Sequence, residues 1–411
     1  MIYDIIIIGS GISGLYNAYK LLKMKPSLKI LILEKNDYFG GRIKTERISI
    51  QNHKYTFEEG AGRFNKNHKL LINLIKELNL EKNIIKINSD VIFIPSTKYE
   101  KEFIGKSPFE FIKIVISKSK EDSKENLIKH TFIEYCEKIL NKQTIKFILD
   151  SFGYYAQLIK MNAFDCIKLL DKGMMPSLQF YSLSNGLDQI IDNLLLNIKD
   201  KCKILKKHNV SKIDYLDNIF KIYSNKKIFR SRICIIAIPK PNLLKINFLK
   251  KYFPLFKSIG TKSLCRIYSI FDKKDIWFKN ISKTTTNSNS RYIIPIDKNN
   301  GLIMISYSDS KFADNWIKIK DKNILIDKLS KNIYKIFKKK INKPIFTKVC
   351  YWKLGTGFWL KNRDSKIISS KITQLNNNIP LFISGENYSE TQGWMEGALE
   401  TSEIVINKIL Q

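Results

Sequence analysis

The stretch Ile5-Ile6-Ile7-Ile8-Gly9-Ser10-Gly11-Ile12-Ser13-Gly14 decides the fold. Four β-branched residues in a row suit a strand buried on both faces of a parallel sheet, and the run is too short to cross a membrane or act as a secretory leader. Directly after it, Gly9 permits a tight turn, Gly11 lets the backbone approach a pyrophosphate, and Gly14 lets the following helix lie close on the strand. Free amides where that helix starts, at Ile12 and Ser13, attract a diphosphate.

Outward from this turn, the helix continues through Leu15, Tyr19, Leu21 and Leu22 to about Met24, Pro26 stops it, and residues 29–33 supply a second strand. Glu34, followed by Lys35, closes that strand about twenty positions beyond Gly14, where an acidic side chain accepts hydrogen bonds from an adenosine ribose. Glutamate rather than arginine there disfavours a 2′-phosphate. A bare G-x-G-x-x-G carries little weight, but a strand before it, a helix after it and Glu34 make a βαβ dinucleotide fold the reading.

Gly40-Gly41-Arg42 follows at short range. Two glycines allow a second close backbone approach, and Arg42 can neutralise pyrophosphate charge through its planar donors. The run Glu34 to Arg42 resembles the flavin amine oxidase superfamily. That group contains monoamine and polyamine oxidases, L-amino-acid oxidases, flavin-type histone demethylases and, more distantly, protoporphyrinogen oxidase. The resemblance implies FAD rather than a nicotinamide cofactor.

Other segments extend it. Phe57-Glu58-Glu59-Gly60-Ala61-Gly62-Arg63-Phe64 resembles the family's small-residue segment along the flavin ring, with Arg63 either near the substrate pocket or paired to Glu58 or Glu59. Pro380 to Asn387, containing Gly385-Glu386, resembles the last strand before the flavin. Gly393-Trp394-Met395-Glu396-Gly397-Ala398 resembles the opening of the family's terminal helix. A helix N-terminus aimed at the pyrimidine end of a flavin stabilises negative charge there, and the resemblance puts the Met395 amide at that place. It also puts Trp394 at one wall of an aromatic cage, with core packing as the bland alternative.

Because both ends of the chain contribute, the expected architecture is α/β. It is a Rossmann-type, doubly wound parallel FAD-binding domain assembled from residues 1–82, 184–241 and 350–411, with an inserted α+β substrate domain from residues 83–183 and 242–349. The first insert reads as mostly helical; the second as sheet plus helix, with a strand over residues 263–271 and a polar loop over 284–290. Residues 204–215 read as one strand carrying Val210, which the family pattern places beside adenine. Tyr351-Trp352 and the Gly355 to Trp359 run resemble an aromatic return, in which Trp352 either touches the flavin or belongs to ordinary core.

Many amine oxidases hold a lysine near the flavin on the 263–271 strand. Counting from Gly260 selects Leu264 for that place and counting back from Asp272 selects Arg266, while Lys262, Leu264 and Arg266 share one strand face. Lys262 and Arg266 join Trp394 as candidate catalytic residues.

Composition is compatible with two packed cores: 411 residues, 44% hydrophobic. Six cysteines without C-x-x-C spacing, and no leader before the first strand, point to reduced thiols inside a cell. None lies near where some relatives tether the cofactor, so FAD is expected to be noncovalent. The lack of an apolar tail after the terminal amphipathic helix suggests a soluble, cytoplasmic protein, or a virion component if viral. The net charge of +33 admits nucleic acid or other polyanions as partners, but no motif supports them. The lysines are scattered, and the excess of Lys, Asn and Ile suits an A/T-rich genome such as that of a large DNA virus, parasite or endosymbiont. The oligomeric state stays open.

The resemblance implies oxidation of an amine C–N bond by hydride transfer to flavin N5, imine hydrolysis, and dioxygen as acceptor with release of hydrogen peroxide. Two alternatives remain: a flavin dehydrogenase or desaturase acting on a larger apolar substrate, and a non-catalytic FAD protein whose basic surface binds polyanions.

Overall fold

The computed structural model describes residues 1–411. Its first sheet is built around the strand Ile2–Ile8, whose Ile5, Ile6 and Ile7 are completely buried. It runs in the order Val210–Leu216, Ile219–Ser224, Lys227–Ile236, Ile2–Ile8, Ile30–Leu33, Cys202–Leu205, and Leu381–Ile383 pairs with the free end of Lys227–Ile236. The pairings of Ile2–Ile8 with Ile30–Leu33 and with Lys227–Ile236 are parallel, as a continuous apolar run buried on both faces requires. The helices Ile12–Met24, Asp188–Ile198 and Met395–Leu410 cover one face, where Leu15, Ile190 and Leu399 join a common core.

The chain's two ends are tied together inside this layer. Ser13 Oγ lies 2.8 Å from both Ser384 Oγ and Ser402 Oγ, and Asn17 Nδ2 donates to both of those hydroxyls. These four small polar side chains let the first and last helices approach closely with the three hydroxyls and the Asn17 amide nitrogen hydrogen-bonded to one another.

The second sheet is mostly antiparallel, in the order Phe346–Trp359, Ile259–Ile270, Leu302–Asp309, Tyr292–Asp297, Thr284–Thr285, Ile92–Phe93. A run of helices between Phe109 and Leu169 forms a separate core that also takes in Phe358 and Trp394. Helical scaffold therefore packs directly on the segment that opens the terminal helix. No helix is long and apolar enough to cross a membrane.

Three local expectations need correction. Residues 204–215 form two strands, Cys202–Leu205 and Val210–Leu216, because the chain turns at Lys207, whose φ is 58° and whose amide donates to the Asn36 carbonyl. The polar segment 284–290 is an interior piece: Thr284, Thr285, Thr286 and Ser290 are all fully buried, and Thr284–Thr285 pairs with strands on both sides. The insert 83–183 begins and ends with strand, since Ile84–Ile87 pairs with Phe180–Leu183.

Candidate functional site

A cavity of 1570 Å³ runs between the two sheets, from the Gly9 turn to Trp394 and on to Tyr292. Typical small-molecule pockets hold roughly 300–1,000 Å³, so this one has room for a dinucleotide and more. The strand ends of the parallel sheet and the N-termini of two helices open onto it. Neither helix start, at Gly11 or at Trp394, has a side-chain cap. Uncapped helix starts leave amide groups for a ligand to satisfy.

The three glycines of the first turn divide their work. Gly9 has a φ of 104°, which only glycine adopts cheaply. A Cβ on Gly14 would stand 2.0 Å from the Gly9 carbonyl oxygen, so glycine there is dictated by helix-to-strand packing. Gly11 is different: a Cβ would meet nothing within 4 Å, and its φ of −67° suits any residue. No protein contact demands glycine at position 11; the space beside it belongs to the cavity.

At this end Glu34 is buried, and its Oε2 accepts from the Ser10 amide at 2.9 Å and the Ser10 hydroxyl at 2.8 Å, while Oε1 accepts from the Asn36 amide. The carboxylate is thus held rigidly at the tip of its strand, lining the cavity with Lys35, Val210 and Ile12. Gly40 bridges to Gly11, its amide donating to the Ser10 carbonyl.

The middle of the cavity is organised by Glu386. Its Oε2 receives the Arg42 guanidinium at 2.8 Å and the Asn387 side-chain amide at 2.7 Å, and its Oε1 receives the backbone amides of Gly357 and Gly393. One buried carboxylate therefore joins the Gly40-Gly41-Arg42 loop, the return strand and the lead-in to the terminal helix. Arg42, expected to meet a pyrophosphate, keeps its charge partly engaged by Glu386 and also donates to the Gly355 carbonyl. Gly385 and Met395 line the cavity beside this hub.

Gly60, Ala61 and Gly62 run along the wall. A Cβ on Gly60 would stand 1.9 Å from the Arg42 carbonyl oxygen, and one on Gly62 3.1 Å from both terminal nitrogens of Arg266. The salt bridge weighed for Arg63 is not formed: Glu58 turns to the Leu187 amide and Thr45, and Glu59 pairs with Lys44 and Lys348. Both carboxylates are thus taken by partners from other segments of the chain. Arg63 instead lies over Phe180, 4.1 Å from the ring centroid, and 6.0 Å from the Trp394 ring.

Lys262, Leu264 and Arg266 all line the cavity, as strand alternation requires. Their electrostatics differ. Lys262 is paired with Asp309 and touches the Gln157 side-chain oxygen. Arg266, also buried, has no carboxylate partner: it donates to the Glu58 carbonyl and lies 4.6 Å from the Tyr307 ring centroid. Burial alone would raise the Tyr307 phenol, but Arg266, with Tyr154 and Lys262, brings it below its ordinary value. Trp352 lines the same wall, donating its indole N–H to the Glu59 carbonyl. Trp394 is nearly buried, 4.7 Å from the His68 ring and stacked towards Phe180, and its indole nitrogen has no partner in the protein.

Sequence reasoning did not single out Gln157 or the tyrosines 154, 292 and 307, which form the far wall, nor Asp309, which stands behind it as the partner of Lys262. Only alternation along Leu302–Asp309 could have placed Tyr307 and Asp309 on the face towards Lys262.

With this geometry in hand, similarity to known proteins is informative. The sequence model of the flavin containing amine oxidoreductase family matches residues 12–405. A probable flavin-containing monoamine oxidase A of Dictyostelium discoideum is 23% identical over 347 residues, 76% of this chain and 72% of that protein. An uncharacterised protein, R188, of Acanthamoeba polyphaga mimivirus is 37% identical over 79 residues, 19% of this chain and 15% of its own. Among solved structures, a redesigned putrescine oxidase superposes with a TM-score of 0.78 at 13% identity, with all of both chains covered. A putative protoporphyrinogen oxidase from Exiguobacterium sp. 255-15 superposes with 0.77 at 15% identity, covering 100% of this chain and 99% of that one. At these identities the superpositions show a shared fold.

Proposed function

The chain belongs to the flavin-containing amine oxidoreductase family, and we propose that it oxidises a C–N bond of an amine that enters between Trp394 and the tyrosine wall. FAD is the cofactor that goes with this membership. The observation that carries the placement is Gly11, a glycine that no protein contact explains, beside an uncapped helix start and a rigid Glu34.

In this reading Gly9, Gly11, Ile12, Ser13 and Gly14 hold the diphosphate with Gly40, Gly41 and Arg42 close by, Glu34 and Lys35 face the ribose, and Val210 lies by the adenine. Gly60, Ala61, Gly62, Arg63, Trp352, Gly385, Glu386, Trp394 and Met395 surround the ring system. The attachment is noncovalent, a reading supported by the absence of any cysteine from the cavity wall. When bound, FAD accepts the hydride from the amine's α-carbon and passes the electrons to dioxygen.

The chain's own contribution is then positional. Burial between Trp394 and the tyrosines favours the neutral amine, the form that can give up a hydride. The positive charges of Arg266 and Arg63 disfavour an ammonium in the same way. Arg266, pressed against Gly62, supplies a fixed positive charge on the strand where many relatives carry a lysine, whether the family position falls at Leu264 or at Arg266, and Lys262 is occupied by Asp309.

That departure from the family lysine, with the size of the cavity, supports a second reading, a flavin dehydrogenase or desaturase on a larger apolar substrate. An anaerobic visible spectrum separates the two. The flavin band should bleach on addition of one class among monoamines, polyamines, amino acids and N-methyl-lysine peptides. A bound flavin that no amine reduces leaves the dehydrogenase reading standing, and a purified protein without flavin sinks the cofactor assignment.

A further inference from the structure

We propose that Lys283 is a nucleophilic amine of the cavity that captures small aldehydes as a Schiff base. Lys283 directly precedes Thr284–Thr285, the short buried strand clamped between Ile92–Phe93 and Tyr292–Asp297, so its backbone is fixed. Its side chain lines the cavity beside Tyr292, with Nζ 5.5 Å from that ring's centroid. The one hydrogen bond it makes is a long one, 3.4 Å to the Ser89 carbonyl. No carboxylate lies within 4 Å of it, in contrast to Lys262, the buried lysine of the cavity wall, which pairs with Asp309.

An ammonium in that position is only partly exposed to water, has no counter-ion within 4 Å and has a like charge nearby. Burial, and after it the Arg63 guanidinium, push the Lys283 amine well below the usual lysine range; Asp90, an exposed carboxylate, opposes them weakly. That direction favours the free amine, whose lone pair is the condition for carbonyl chemistry. Lys86 and Lys298 line the same cavity but are exposed, where water keeps an ammonium charged.

The step balances without an oxidant. The Nζ lone pair attacks the aldehyde carbon, the C=O π pair moves to oxygen, and a proton passes from nitrogen to that oxygen to give a carbinolamine. Loss of water then forms the C=N bond, and hydrolysis reverses the sequence. The aldehyde left when the oxidised amine hydrolyses is the natural ligand; that source rests on the function proposed above, whereas capture itself does not. A product held at Lys283 occupies space the next substrate needs, which makes the residue a brake on turnover.

The test uses the holoprotein, benzaldehyde and cyanoborohydride at neutral pH, followed by peptide mapping, with the flavin spectrum recorded beforehand. Lys283 should carry a benzyl group at least five-fold more often than the median exposed lysine, and Lys283→Arg should remove that label alone. Labelling confined to exposed lysines, or equal at Lys283 and at the surface, overturns the proposal, and the wild-type map decides this even if the variant misfolds. Preferential label at Lys283 in protein lacking a flavin band supports capture while overturning the cofactor reading.

Discussion

Lys262 Nζ and Asp309 Oδ2 stand 3.1 Å apart with their side chains 2% and 0% exposed, deep in the wall of the cavity. The same carboxylate accepts the amides of Tyr155 and Ala156, so it fixes the start of the helix Ala156–Lys160 as well as the lysine. Removing one member strands the other as an uncompensated buried charge. Asp309→Ala should therefore destabilise the protein by about 3–5 kcal/mol. Lys262→Met combined with Asp309→Asn should recover part of that loss. Urea unfolding of wild type and the two variants measures this, and a loss below about 1 kcal/mol in Asp309→Ala would show the pair to be dispensable.

Gly11→Ala and Gly14→Ala should fail in different ways. The first adds a methyl group to open cavity and should leave the thermal midpoint of the flavin-free protein within about 2 °C of flavin-free wild type while abolishing flavin retention. The second drives a methyl group into the Gly9 carbonyl and should prevent folding. Thermal melts alongside the flavin-to-protein absorbance ratio separate the two effects; normal flavin content in Gly11→Ala would refute the assignment of that space to a cofactor.

Glu386→Gln keeps the shape of the hub but loses its charge towards Arg42 and forces one amide donor against another. Charge-assisted hydrogen bonds contribute about 1.5–3 kcal/mol each. Flavin affinity should fall by roughly 10- to 100-fold, read by ultrafiltration of the loaded protein at graded concentrations.

Two buried groups give stability opposite dependences on pH. Burial raises the Glu58 carboxyl from 4.5 to about 7, so the folded protein keeps that proton longer than the unfolded chain. Stability then falls as pH rises from about 4.5 to about 7 and levels off above. Burial, with Arg63 nearby, lowers His68 from 6.5 to about 4, so the folded protein sheds its proton first. That contribution is complete above pH 6.5 and is lost as pH drops towards 4. Glu58→Gln should gain on wild type steadily between pH 4.5 and 7, and His68→Gln should lose acid sensitivity between 6.5 and 4. Melting temperatures across pH 4–8 test both, and parallel curves for all three proteins would contradict them.

What could be read from the sequence was local and periodic. The Ile5 to Ile8 run, the three glycines and Glu34 lie within one βαβ unit, so their spacing alone fixed their geometry. The pairing of the chain's ends was legible because each end carries its own motif. Asp309 and Gln157 escaped notice since they meet Lys262 through tertiary packing that no spacing encodes. The pairing weighed for Arg63 failed for a related reason: Lys44, Lys348 and Thr45 arrive from elsewhere to take the two glutamates.

The serine contacts that join the first helix to the last impose an order of events in synthesis. Ser13 emerges from the ribosome early, while Ser402 and the amides after Gly393 emerge roughly 380 residues later, a delay of roughly 20–80 s at ordinary elongation rates. Throughout that interval the Gly9 to Gly14 turn exists without the cavity wall that Gly393, Trp394 and Met395 supply. The cavity is therefore complete only once Gly393 to Ala398 have left the ribosome, and a chain broken off before Gly393 carries the first turn without its facing wall.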